Sequence, residues 1–130
     1  MKTKKRPRLE VRDAGAMGRG VFAGTPISKG QLIEACPVIP LSAGDEAKLG
    51  ETALASYLFA WSDGSHGACL ALGLGSLCNH STAPNAIACR CESETWMEFI
   101  ALRDIAADEQ VFVDYCWHKG EYDFDPEVCG

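Results

Sequence analysis

The chain has 130 residues, 47% of them hydrophobic and 23% charged, a balance that suits one compact domain and excludes a wholly disordered polymer. No apolar run approaches the roughly 18–20 residues of a membrane span, and no apolar segment follows the basic N-terminus as a secretory signal requires. Of 12 basic residues, Lys2, Lys4, Lys5, Arg6 and Arg8 precede the first acid, leaving seven basic against eighteen acidic side chains in the body, which repels nucleic acid and draws basic polypeptides.

Residues 1–7 read as a basic mobile tail, followed by a single domain over 8–130. Leu9, Val11 and Asp13 alternate with Glu10 and Arg12, the period of a strand. A Gly-rich turn then leads into a second strand at Gly20–Ala23. Gln31 to Ile39 is an apolar strand bounded by Gly30 and Pro40, and the first half of Asp45–Leu58 carries a short helix. Ala68 to Leu72 reads as a buried strand. Ile87–Cys91 and Trp96–Leu102 flank a polar Glu-Ser-Glu turn as a hairpin. Gln110 to Tyr115 forms the last strand, with Val111, Val113 and Tyr115 on one face. The sum is mainly β, built from many short strands.

Three patches carry chemistry. Met17-Gly18-Arg19-Gly20-Val21-Phe22 places two glycines around one residue, which lets backbone amides approach a ligand closely; a plain turn between strands has the same composition. Gly73 to Asn85, reading GLGSLCNHSTAPN, clusters Asn79, His80, Ser81 and Asn85. Asn side chains both donate and accept, so they suit a zwitterionic amino-acid group, and they also serve ordinary Asx turns. Ala101 to Tyr115 reads strand, turn, strand, and ends on a tyrosine that a core or rim also explains.

Their order and spacing together carry more than any one of them. From about Leu9 to Tyr122 the chain resembles the SET domain family of protein-lysine methyltransferases, in particular its minimal stand-alone viral and bacterial members. GRGVFA resembles the family's first cofactor loop and ISKGQLIE the strand after it. Tyr57-Leu58-Phe59 with LGLGSLCNHSTAPNA resembles the central Asn-His-Ser motif, and ALRDIAADEQVFVDY resembles the C-terminal motif. The resemblance implies a SET fold of the β-clip type, several small sheets with a C-terminal pseudoknot that gathers Asn79, His80 and Tyr115. It implies that S-adenosylmethionine is held by Met17, Gly18, Arg19, Gly20, Asn79 and His80. Tyr57 is implied either in the cofactor's methionine pocket or in the wall of a lysine channel. Tyr115 is implied as the catalytic residue at the inner mouth of that channel. Trp117 is placed with the cofactor residues, and Tyr122 and Phe124 with the channel, the order among these three staying open.

The implied reaction moves a methyl group from S-adenosylmethionine to the ε-amine of a lysine in a basic protein segment, such as that of a histone or histone-like protein. Free lysine has a pKa of about 10.4, so the channel must favour the neutral amine by burial and by the nearby sulfonium charge. Two rival readings are a catalytically inactive SET-like module that binds basic peptides and a Cys-rich metal-dependent regulator.

The chain departs from larger members at Thr82, where many carry a zinc-binding cysteine, and its tail offers only Cys116 and Cys129. No metal is expected, and the seven cysteines, an odd number without framework spacing, are expected as reduced thiols in a cytoplasmic or nuclear protein. Asp108 and Gln110 stand where Gly and a second acid are common. Neither nucleic acid nor membrane is expected as a partner, and small relatives imply a possible homodimer.

Overall fold

The computed structural model describes residues 6–61 and 67–117. Tyr122 and Phe124 therefore lie outside the described residues. Two strands, β1 (Leu9–Asp13) and β2 (Arg19–Ala23), form an antiparallel hairpin. Its turn holds Gly15 at φ 68° and Gly18 at φ 79°, conformations that side-chain-bearing residues rarely adopt.

The rest is one seven-stranded sheet in the order β4-β5-β3-β8-β7-β9-β6. Its members are β3 (Leu32–Leu41), β4 (Leu58–Ala60), β5 (Ala68–Ala71), β6 (Asn79–His80), β7 (Ala86–Cys91), β8 (Trp96–Ala101) and β9 (Phe112–Val113). A single α-helix among the described residues, α1 (Ala43–Leu49), follows β3. Ser42 caps it by accepting from the Asp45 N–H at 3.1 Å, and Asp45 and Glu46 favour the positive end of its dipole.

The expected strand boundary at Pro40 is corrected here: β3 runs through both Pro37 and Pro40 to Leu41. The reason is a change of neighbour. Leu32 to Pro37 pair with β8, whereas Val38 to Leu41 pair with β5. At most positions β3 thus has one free edge, where a missing proline N–H costs no ladder bond. The hairpin is found as β7 and β8, closing at Cys91 opposite Trp96.

The last strand is shorter than expected, since only Phe112 and Val113 pair regularly, yet its alternation holds. Val111 and Val113 are fully buried and Tyr115 nearly so. Residues 108–111 are taken instead by the hairpin: Val111 N–H donates to the Val21 carbonyl at 2.8 Å and Ala23 N–H to the Glu109 carbonyl at 2.9 Å. Strand β9 lies between β6 and β7, parallel to both. The short connection from His80 to Ala86 must cross its end, which is the knotted crossing that the resemblance implies. Ser81 N–H and Asn85 N–H fix that crossing on the Val113 and Phe112 carbonyls.

The main core gathers around Phe59, Phe99, Met97, Ile33 and Tyr115. Cys36, Cys69, Cys78, Cys91 and Cys116 are free thiols. Cys89 corrects the expectation of reduced thiols throughout, being disulfide-bonded. Among the described residues no helix is long and apolar enough to cross a membrane, and no three His, Cys, Asp or Glu side chains gather as a metal cluster.

Candidate functional site

The site is built where β6, β9 and the hairpin meet. Pairing of β6 with β9 sets Asn79 opposite Phe112 and His80 opposite Val113, so the residues that follow Val113 run past the Asn-His segment. Tyr115 N–H donates to His80 Nδ1 at 3.0 Å, and Tyr115 accepts from Ala60 N–H at its own carbonyl, also at 3.0 Å. The backbone of Tyr115 is thereby held from two sides. Its ring stacks on Phe59, with centroids 3.9 Å apart and planes 18° apart, and meets His80 edge-on.

The phenolic hydroxyl of Tyr115 donates to the main-chain carbonyls of Cys78 and Ser76, the latter at 3.2 Å. One hydrogen faces two acceptors, so at least one carbonyl oxygen keeps lone pairs to spare at any moment. Burial, followed by the nearby Cys78 and Tyr57, pushes the phenol well above its usual pKa range. Tyr115 therefore stays a neutral hydroxyl at physiological pH. Ser76 is itself anchored: its Oγ donates to the Tyr57 carbonyl and accepts from Ala71 N–H, both at 3.0 Å.

The first glycine patch is joined to this centre through Asn79. Its amide donates to the Arg19 carbonyl at 3.1 Å and to Gln110 Oε1 at 2.7 Å. Gly20 makes this approach feasible, because a Cβ there would lie 2.3 Å from Gln110 Oε1 and 2.9 Å from Asn79 Nδ2. Met17, Gly18 and Arg19 form an exposed rim beside that contact. The Asn79 side chain thus ties the glycine loop to Gln110. Exposed Met17, Gly18 and Arg19 beside it offer backbone donors and carbonyls of the kind that the amino-acid end of a sulfonium cofactor needs.

Trp117, expected beside the cofactor, is packed against β7. Its indole N–H donates to the Ala88 carbonyl at 2.6 Å, and it joins Ile87, Cys89 and Ile100 in a separate cluster. Three contributors escaped the sequence reading. Phe59 lies in the quoted Tyr57-Leu58-Phe59 run, but no pattern marks the stack. Gln110 was noted only as a departure, and the Ser76 and Cys78 carbonyls have no side-chain signature at all.

A cleft of about 570 Å³ opens beside the centre, lined by α1, β4 and Cys116 and including Phe59. Glu46 is the charged side chain among its lining residues.

A sequence profile of the SET domain matches residues 18–116. The chain belongs to the SET domain family. A histone-lysine N-methyltransferase specific for H3 lysine 37, from Schizosaccharomyces pombe, is 38% identical over 117 residues, covering 87% of this chain and 78% of that protein. Among solved structures, a Plasmodium falciparum protein described as a histone methyltransferase superposes with a TM-score of 0.63 at 26% identity, covering 86% of this SET domain chain and 95% of its own. A ctPRC2 structure bound to S-adenosylmethionine superposes at 0.67 and 21% identity, covering 92% of this chain but 16% of that one, and shows the shared fold. The mainly β architecture and the crossing of β9 are those of a SET domain.

Proposed function

We propose that this SET domain is a protein-lysine methyltransferase acting on basic histone-like segments, with histone H3 lysine 37 the first substrate to test. The observation that carries the reading is the neutral Tyr115 hydroxyl set against the Ser76 and Cys78 carbonyls on a Phe59-backed wall. The S. pombe relative's specificity supports the histone assignment.

S-adenosylmethionine, when bound, supplies an electrophilic methyl on a sulfonium. The residues proposed to hold it are Met17, Gly18, Arg19 and Gly20 with Asn79 and His80. Tyr57 takes a place in the channel wall. Tyr115 and Phe59 close an apolar channel that excludes water from the lysine tip, which disfavours the ammonium and releases its proton to solvent. The Tyr115 hydroxyl and the Ser76 and Cys78 carbonyls would then orient the neutral amine, so that this chain's contribution to catalysis would be largely positioning. Glu46 supports the choice of a basic partner, since it puts a negative charge in the adjoining cleft.

The test is methyl transfer from labelled cofactor to recombinant histone H3, with mass spectrometry to locate the modified lysine. Labelling of a lysine, lost in Tyr115→Phe, supports the reading. Cofactor and peptide binding without transfer to any histone would favour a binding module. The homodimer is part of this proposal, and sedimentation of the purified chain at monomer mass rejects it.

A further inference from the structure

Arg90 joins parts of the fold that lie far apart in the sheet. It sits on β7, whereas Ala60 ends β4 at the opposite edge, with β5, β3 and β8 between them. The sheet must therefore curl until its edge strand faces β7. At that closure Arg90 Nε donates to the Ala60 carbonyl at 2.9 Å, and Arg90 Nη2 donates to the Trp117 carbonyl at 2.7 Å. The guanidinium also lies 4.7 Å from the centre of the Trp117 ring, a favourable cation–π distance.

Both carbonyls belong to segments that hold Tyr115. Ala60 follows Phe59, whose ring stacks on Tyr115, and Ala60 N–H donates to the Tyr115 carbonyl at 3.0 Å. Trp117 lies two residues beyond Tyr115 and is pinned by its indole to Ala88, on Arg90's own strand. A rigid, planar fork with donors in fixed directions suits two carbonyls on different segments, and a lysine ammonium cannot reproduce that geometry together with the ring contact.

We infer that Arg90 is a positioning residue for methyl transfer: by clamping Ala60 and Trp117 it sets the spacing between the Phe59 wall and the Tyr115 hydroxyl. Its described hydrogen bonds go to the carbonyls of Ala60 and Trp117, so the proposed action runs through the backbone. Displacing a reacting group by about 1 Å costs on the order of 100-fold in rate, and loss of the clamp frees such movement. The inference rests on the methyltransferase reading, so wild-type transfer to histone H3 is established first. Absence of wild-type transfer fails that reading, whereas the comparison below fails only the role of Arg90.

The experiment compares wild type with Arg90→Lys and Arg90→Gln, well below their melting temperatures. It reads kcat, KM for an H3 peptide, cofactor Kd by calorimetry, and Tm. The expected result is a fall in kcat of roughly 10- to 100-fold in both variants, with Kd for the cofactor changed less than about twofold. Wild-type kcat in a folded variant, with or without a lowered Tm, overturns the inference and leaves Arg90 a stabilising residue only. A parallel loss of cofactor affinity overturns it too, since the clamp would then support the binding loop. If Arg90→Lys does not fold, Arg90→Gln is read alone by the same criteria.

Discussion

Tyr115 owes its chemistry to four neighbours. Phe59 and His80 fix its ring, while the Ser76 and Cys78 carbonyls take its hydroxyl. Tyr115→Phe keeps the stack and removes the donor, so transfer is expected to fall about 10²- to 10³-fold, the usual cost of one preorganised donor. Cofactor affinity by calorimetry stays near wild type; unchanged transfer would remove the hydroxyl from the mechanism. Gly20→Ala has the opposite signature. Its new Cβ meets Gln110 Oε1 at 2.3 Å, so cofactor binding is expected to weaken first. Gln110→Ala in the same chain should restore part of it, because the obstructing atom is the end of a flexible side chain. No restoration would place the effect in the backbone instead.

Asp108 explains one departure noted in the sequence. It adopts φ 69°, where family members commonly carry Gly, and offsets part of the strain through Arg12 Nη2 at 2.8 Å. Its neighbour Glu109 is held down to about 2, chiefly by the Arg103 guanidinium at 2.5 Å and then by the Ala106 N–H. A depressed carboxylate stabilises the fold fully above its unfolded pKa of about 4.3, and that contribution disappears as pH falls toward about 2. The Tm gap between wild type and Glu109→Gln should therefore be widest near neutral pH and narrow between about pH 4.5 and 2. A gap independent of pH would assign the difference to packing.

At the scale of elements, β1, β2, β5, β7 and β8 were legible because alternation and turn residues act locally. Strand β3 was legible except at its end, where tertiary pairing overrode the local signal of Pro40. The contraction of β9 to Phe112 and Val113 was not legible, because its flanks are recruited by Val21, Ala23 and Ala60, which no short window contains. Among the site residues, Asn79, His80 and Tyr115 came from the resemblance to the SET motifs. Phe59 and Arg90 did not, since each acquires its partners only when the sheet curls. The cleft between α1 and β4 belongs to this scale as well. Glu46→Lys there should raise KM for a basic H3 peptide several-fold, with kcat little changed, because a charge at a binding rim acts mainly on encounter and affinity. An equal effect on a neutral-flanked peptide would rule out charge as the cause.

For the whole molecule, the acidic body beyond the basic leading residues gives a field that attracts cationic segments. Transfer to histone H3 should therefore slow as ionic strength rises, since the Debye length shrinks from about 10 Å at 0.1 M to about 3 Å at 1 M. Initial rates on the same peptide across a salt series check this, and a flat profile would limit the acidity to solubility.

The insertion of β9 between β6 and β7 has a temporal consequence. A ribosome delivers Asn79 and His80 before Tyr115, and β9 is the neighbour of β6 in the sheet, so the crossing closes only once the later strand arrives. The backbone amides of Ser81, Asn85 and Tyr115 should therefore lose their protection from deuterium together whenever that insertion is undone. Intermediates with a half-built centre would then be silent toward histones, and activity would report completed folding.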